Sequence, residues 1–107
     1  MAGVKLVVMY PQPKDVAAFE KLYQEEHVPM AVQKLVGKTK FVASKVVSSP
    51  QGAPAFYRIA EVHFPSNEAL MACLMSPGGQ ETAAHAFAIS SGGPPTILIA
   101  EEETFTF

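Results

Sequence analysis

Two side chains four residues apart, Tyr23 and His27, are the residues of this sequence best suited to move a proton. At this spacing they lie on one face of a helix, and Pro29 then removes a backbone donor and disfavours helical geometry at Val28. A helix break beside a neutral imidazole is a plausible pocket wall, with His27 as general acid or base and Tyr23 bonded to a substrate oxygen. A structural histidine packed between helix and sheet explains the pattern equally well.

A second set of polar side chains lies within a strand-like segment, 56–64, and supplies candidate substrate-binding residues. Tyr57, Glu61 and His63 alternate along one side of it, and Arg58 lies on the otherwise apolar side. Glu61 could orient the imidazole of His63, as carboxylates do in catalytic pairs, although a polar edge on a partly solvated sheet is the simpler explanation. Arg58 could bind a carboxylate or phenolate, or form a buried structural ion pair, and the sequence does not decide.

The remaining histidine and the single cysteine predict no further site. His85 falls in a short helix without an apparent partner, so we expect it at the surface. Cys73 falls in the apolar stripe of another helix, where a buried thiol is inert. The three histidines and the cysteine lack the short spacing of zinc ligands. We therefore expect no metal and no cofactor.

The elements that must position these residues follow from hydrophobic periodicity and from proline and glycine positions. The predicted strands are 4–10, 39–49, 56–64 and 96–100, and the predicted helices begin after the caps Asp15 and Ser66, with a short third helix at about 80–89. The order strand, helix, strand, strand, helix, strand is the split βαβ, or ferredoxin-like, plan. We expect an α+β fold in which both main helices cover one face of a four-stranded antiparallel sheet.

Composition limits what the chain can be. It has 107 residues, of which 49% are hydrophobic and 17% charged, with a net charge of -2. This length fits a single domain, 1–107, and the apolar content excludes a disordered chain. No basic footprint for nucleic acid is present, and no apolar run reaches the ~20 residues of a membrane span. The N-terminal pattern does not match a signal peptide, so we expect a cytoplasmic protein.

The predicted strands leave apolar residues on both sides of the sheet. In the first strand even the second side carries Val7 and Met9 beside Lys5. The helices can cover only one face, and the chain has no residues left for another layer. A second copy of the chain is the economical cover, so we predict a homodimer. The aromatic tail, Phe105 and Phe107, could reach across as an exchanged arm.

The segment 19–29, in which an aromatic residue and a tyrosine precede His-x-Pro, resembles the EthD-like family, named for an ethyl tert-butyl ether degradation protein. The segment 56–64 is similar to the third strand of that family, and 65–70 to the start of its second helix. The resemblance covers nearly the whole chain as one EthD-like domain. It implies a dimeric α+β barrel built from two ferredoxin-like halves.

The resemblance implies less about chemistry. EthD-like proteins occur near oxidative degradation pathways, and related dimeric barrels include lactone isomerases, polyketide cyclases, dehydratases and cofactor-free monooxygenases. We expect either a cofactor-independent proton-transfer enzyme of the isomerase, cyclase or dehydratase type, or an oxidoreductase-associated protein. Its ligand would be a small apolar oxygenated molecule from degradation or secondary metabolism. A non-enzymatic accessory or binding protein for an oxygenase pathway is the alternative, and a haem-binding relative is a third possibility.

Overall fold

Four strands form one antiparallel sheet in the computed structural model, which describes residues 3–107. The strands are β1 (Val4–Pro11), β2 (Lys40–Lys45), β3 (Phe56–Phe64) and β4 (Thr96–Glu101). Their order across the sheet is β2-β3-β1-β4, and every neighbouring pair is antiparallel. This is the ferredoxin-like α+β arrangement, so the predicted fold class is confirmed. β2 is shorter than predicted: its regular pairing with β3 ends at Lys45, and only the Val46 amide, which donates to the Tyr57 carbonyl, is bonded just beyond it.

The helices begin where the sequence supplies caps. They are α1 (Val16–Leu22), a π turn (Tyr23–His27), α2 (Val28–Lys34), α3 (Asn67–Met75) and α4 (Pro77–Ile89). The side chains of Asp15 and Ser66 accept the amides of Ala18 and Ala69, as expected of N-caps. None of these helices, within the residues described, has the length and apolar character needed to cross a bilayer.

α4 is longer than predicted because Ser76 and Pro77 start it. The Ser76 hydroxyl accepts the Gly79 amide, and Pro77 occupies the first turn, where its missing N–H costs nothing. Gly79 lies against the carbonyl of Cys73, and a Cβ there would overlap it. This close approach fixes how α4 leaves α3. The position of His85 in the fold depends on that junction.

The hydrophobic core lies between the helices and one face of the sheet. That face carries Val4, Leu6, Val8 and Tyr10 of β1, all of them buried. Cys73 is also buried in this core, as the sequence predicted. Burying a side chain of this size contributes ~1.5–3 kcal/mol, so the covered face supplies most of the stabilisation available to a short chain.

A β-bulge in β3 changes the direction of one candidate residue. Tyr10 pairs with Arg58 but Pro11 pairs with Phe56, which leaves Tyr57 as an extra residue in β3. Tyr57 therefore turns toward the helices, and its ring packs edge-on against Phe19 with the centroids 5.8 Å apart. The expectation that Tyr57 shares a side with Glu61 and His63 is wrong, because simple alternation fails at a bulge.

The second face of the sheet has no cover among residues 3–107. Val7, Met9 and Ile59 lie on it half-buried, and Leu98 of the edge strand is 50% exposed. Phe105, in the tail, is 75% exposed. We call this side the open face. It matches the apolar second side that the sequence predicted.

Candidate functional site

The first helical segment widens into a π turn just before Pro29. Because proline has no amide hydrogen, the regular helical ladder cannot continue through it. The Val28 amide instead donates to the carbonyl of Tyr23, five residues back. The predicted break therefore takes the form of a widened turn, a feature often found at functional sites. It places the Tyr23 and His27 rings nearly parallel, 23° apart in plane angle with centroids at 5.8 Å.

Both ring nitrogens of His27 have side-chain partners. Nε2 lies 3.1 Å from the Tyr10 hydroxyl, and Nδ1 lies 2.9 Å from Nδ1 of His85. His27 is 6% exposed. Burial, and then the neighbouring His85, lower the pKa of His27 from its ordinary value of 6.5 to about 4. The ring is therefore neutral near pH 7 and available to accept a proton.

His85 joins this site, although the sequence predicted a surface residue without a partner. Its ring lies parallel to that of His27, with centroids 5.1 Å apart, and its Nε2 lies 3.3 Å from Oε1 of Glu26. The expectation was wrong because α4 packs against the π turn, a contact between residues 58 positions apart that local periodicity does not reveal. Tyr10 was also missed as a site residue. The sequence did offer a signal for it: Tyr10 lies on the side of a strand that was expected to be buried, and a buried hydroxyl needs a hydrogen-bond partner.

A small cavity adjoins the Tyr10 hydroxyl and His27. It has a volume of about 60 Å³ and lies between the sheet and helices α2 and α4. Apart from these two residues and Thr82 its walls are aliphatic, aromatic or glycine, including Leu6, Ala31 and Ile97. Tyr23 does not line it. In this cavity Tyr10, and not Tyr23 as we expected, presents its hydroxyl beside His27.

Arg58 forms a buried ion pair, one of the two roles that the sequence left open. Its Nε and Nη2 donate to the two carboxylate oxygens of Glu20 at 3.0 and 2.6 Å. Hydrogen bonds from Arg58 hold the pKa of Glu20 below its ordinary value. The guanidinium also lies 4.9 Å above the centre of the Tyr23 ring, where a cation is attracted to the aromatic face.

Tyr23 contributes its ring to this packing rather than its hydroxyl. Its side chain is fully buried, and the hydroxyl has no hydrogen-bond partner among the residues described. A separate cleft of about 300 Å³ lies beside it, bounded by Gln24, Val28, Ala43 and Arg58. The two spaces are thus lined by neighbouring, stacked rings, His27 in the cavity and Tyr23 in the cleft.

The remaining predicted residues, Glu61 and His63, lie on the open face, across the sheet from His27. Glu61 accepts from the Lys5 ammonium at 2.6 Å, and the carboxylate nearest His63 is Glu102, 3.8 Å from Nδ1. Oxygen and nitrogen atoms of Glu61, His63 and Glu102 lie within 4.8 Å of one another, a spacing that could hold a metal. Lys5 also contacts Glu102 at 3.3 Å, so its ammonium already supplies a positive charge between these carboxylates.

The chain matches a protein-family model described as the EthD domain, over residues 11–88. A Rhodococcus erythropolis protein, described as an uncharacterized 11.0 kDa protein in the thcB-thcC intergenic region, is 35% identical over 100 residues, covering 94% of this chain and 95% of the relative.

Solved structures show the same relationship. An ethyl tert-butyl ether degradation family protein from Bacillus halodurans is 30% identical and superposes with a TM-score of 0.87 over 94% of this chain and 99% of its own. A dimeric ferredoxin-like protein from Jannaschia sp. is 18% identical, with a TM-score of 0.64 over 95% of this chain and 100% of its own. At that identity the likeness shows the fold alone.

Proposed function

This chain belongs to the EthD family, and we propose that it is a cofactor-independent enzyme that moves a proton on a small, apolar, oxygenated molecule. The hydrogen bond between the Tyr10 hydroxyl and Nε2 of His27, at the wall of an apolar cavity, carries this proposal. We call these two residues the Tyr10–His27 pair. The reaction would be an isomerisation, cyclisation or dehydration.

The Tyr10–His27 pair can remove a proton without forming a free phenolate. Burial raises the pKa of Tyr10, so its hydroxyl stays protonated until another proton replaces its own. In the proposed step the substrate proton moves to the Tyr10 oxygen while the Tyr10 proton moves to His27 Nε2. The electron pair of the broken bond stays on the substrate as an enolate or phenolate. Return of a proton along the same path completes the reaction.

The low pKa of His27 limits which substrates suit this pair. A ring with a pKa of about 4 is a weak base, so it can deprotonate only an acidic C–H or O–H group. Carbon between two carbonyl groups, and hydroxyl groups of quinol or polyketide rings, have that acidity. A lactone, quinone or polyketide fragment with such a group is the substrate class that we propose.

Substrate binding requires the cavity to widen. Its volume of about 60 Å³ is less than half that of an apolar cavity of ~150 Å³ that holds a benzene ring. We propose that α4 and α2 move apart to admit the substrate. Stacking against Tyr23 would hold the His27 ring in place during that movement, and Arg58 would support Tyr23 from the sheet side. The sequence-based roles of Glu61 and His63 in substrate binding would require a second site on the open face.

We also propose that two copies of the chain pack through their open faces. Exposed Leu98 and half-buried Met9 and Ile59 on that face support the assembly, as does the dimeric state named for the Jannaschia protein. The exposed Phe105 and Phe107 could then contact the partner copy. The predicted small apolar ligand would bind separately, on the helix-covered side of each sheet.

Deuterium uptake tests the proposed reaction without knowledge of the natural substrate. β-Keto lactones and 1,3-diketones are incubated with the protein in D₂O, and exchange at the carbon between the two carbonyl groups is followed by proton NMR. We expect His27→Gln to lower catalysed exchange by about 10²–10⁴-fold, the usual contribution of a general base. Tyr10→Phe should cause a similar loss, because it interrupts the proton path.

Two matched variants make the result specific. His63→Gln changes the same residue type on the open face and should keep full exchange. Comparing Tyr10→Phe with Tyr23→Phe decides which tyrosine serves the base. Exchange that survives His27→Gln would refute the catalytic assignment, and binding of these compounds without any exchange would favour the accessory-protein alternative.

A further inference from the structure

We propose that His85 and Glu26 carry protons between the buried Tyr10–His27 pair and solvent, with Glu26 as the point of exchange with water. We call Tyr10, His27, His85 and Glu26 the relay. This inference rests on the proposed function, since it concerns the fate of the proton that His27 receives. His85 and Glu26 would act through His27 and would not touch the substrate.

Three consecutive contacts connect the relay. Tyr10 Oη lies 3.1 Å from His27 Nε2, the two Nδ1 atoms lie 2.9 Å apart, and His85 Nε2 lies 3.3 Å from Glu26 Oε1. Exposure rises along this path. Tyr10 is fully buried and His27 is 6% exposed, whereas the side chains of His85 and Glu26 are 18% and 58% exposed. The chain of contacts therefore leads from the core to the surface.

The contacts together favour one set of tautomers. An ionised carboxylate can only accept, so Glu26 takes the hydrogen on His85 Nε2. A neutral His85 then has a lone pair on Nδ1 and accepts from His27 Nδ1–H. His27 in turn has its lone pair on Nε2, which accepts from the Tyr10 hydroxyl. Glu26 thus keeps His27 in the tautomer whose Nε2 can receive the proton of Tyr10.

The burial of His27 explains why a relay is needed. A positive charge on a buried imidazole is unfavourable unless a partner stabilises it. His27 can avoid that charge by releasing the hydrogen on Nδ1 as it receives one on Nε2. His85 accepts this hydrogen on Nδ1 and releases its own from Nε2 to Glu26, which passes it to water. Each group gains one proton and loses one, and both rings end as the opposite tautomer.

Other charged groups near His85 already have partners. Glu81 lies one turn earlier on α4, and it accepts from the Lys34 ammonium of α2 at 2.6 Å. From the π turn, Glu26 contacts the outer nitrogen and His27 the inner one. Among the charged side chains described, Glu26 is therefore the carboxylate placed to take a proton from His85.

Nitrogen-15 NMR of histidine-labelled protein tests the relay. The protein is first treated with EDTA, so that no metal bridges the two Nδ1 atoms. In the unaltered protein near pH 7 we expect hydrogen on Nδ1 of His27 and on Nε2 of His85. In Glu26→Gln the side-chain amide can also donate, so the preference of both rings should be lost. Glu81→Gln is the matched control on α4 and should leave both tautomers unchanged.

Two results would overturn the relay. One is a hydrogen on Nε2 of His27 in the unaltered protein. The other is an unchanged tautomer pattern in Glu26→Gln. These spectra need no substrate, so they test the relay whether or not the proposed reaction occurs. Glu26 is exposed, so its substitution should not prevent folding.

Exchange kinetics separate the relay from the proposed function. His85→Leu and Glu26→Gln should each lower the deuterium exchange rate at least tenfold, and added imidazole should restore part of it in His85→Leu. If exchange depends on His27 but is unaffected by both changes, the proposed function stands and the relay is refuted.

Discussion

A histidine lies on each side of the sheet, His27 of the π turn against the covered face and His63 of β3 on the open face, and the two have opposite surroundings. On the covered face His27 is buried, hydrogen-bonded to Tyr10 and His85, and has a pKa lowered to about 4. On the open face the side chain of His63 is 15% exposed and lies near Glu102, which also contacts Lys5. The same residue type therefore borders a cavity on one side and a group of ion pairs on the other.

The cover over each face explains the difference. On the covered face the helices exclude water, so polar groups there depend on hydrogen bonds within the protein. On the open face charges can coexist because solvent or a second copy of the chain completes their surroundings. A pair of polar residues in a sequence is thus weak evidence of a catalytic site until it is known whether helices or solvent cover that face of the sheet.

The largest expected effect concerns what covers the open face. Met9→Glu would place a charge at the centre of the proposed dimer interface, beside its strand partner Ile59. An uncompensated buried charge costs ~3–5 kcal/mol, so the dimer dissociation constant should rise by about a thousandfold. Light scattering with size-exclusion chromatography measures this.

The control for that prediction is Val32→Glu, the same change at a 52% exposed position on α2. It should leave the assembly intact. An unaltered protein that is monomeric at micromolar concentration would contradict the dimer, and with it the view that the open face is an interface.

The next effect concerns the covered face. Arg58→Met would leave the Glu20 carboxylate without its bidentate partner, where the two side chains are only 10% and 18% exposed. Breaking a buried pair in this way lowers the free energy of unfolding by ~3–5 kcal/mol. Urea denaturation measures the loss.

The control for this prediction is Lys34→Met, which breaks the more exposed pair with Glu81 and should cost at most about 1 kcal/mol. Equal losses would mean that the covered face does not isolate Arg58 from water.

The smallest effect is a pH dependence of stability due to His27. The unfolded chain binds this proton with the ordinary pKa of 6.5, whereas the folded protein binds it only near 4. The stability present above pH 6.5 is therefore lost as pH falls toward 4, by about 2 kcal/mol between pH 7 and pH 5. The lowered pKa values of Glu20 and Glu61 act mainly below their ordinary value of 4.5.

Urea denaturation at both pH values and one protein concentration measures that change. His27→Gln should remove most of the loss between pH 7 and pH 5. His63→Gln retains the His27 ring and should therefore retain the loss. If the loss of stability between pH 7 and pH 5 disappeared in His63→Gln but persisted in His27→Gln, the pH dependence would come from the open face and not from the covered one.

The fold could be predicted because most of its elements are marked locally. β1 ends at Pro11 and β3 just before Pro65, and Asp15 and Ser66 start helices through hydrogen bonds to their own first turns. The bulge at Tyr57 could not be predicted by alternation, since it depends on how Pro11 pairs across the sheet. The apolar second side of the strands predicted the open face correctly.

The candidate site was predictable only in part. His27 and the helix break were evident from Pro29 and the spacing to Tyr23. The contact of His27 with His85 required the direction of α4, which the Ser76 cap and the close approach of Gly79 determine. Arg58 could not be assigned because its partner, Glu20, lies on a different element, 38 residues away in sequence.

The π turn has a consequence for how this protein can change during evolution. An α-helix advances by about 100° per residue, and the π turn accommodates residues 23–27 within a wider ring. Because the wider ring absorbs one extra residue, loss of one residue here would restore a regular helix and leave α1 and α2 close to their present orientation. Loss of one residue from α1 has no such relief, so the helix beyond it would rotate by about 100° and His27 would face away from Tyr10 even though every residue of the relay was retained. In relatives that keep this site, insertions and deletions within α1 should therefore be rarer than substitutions.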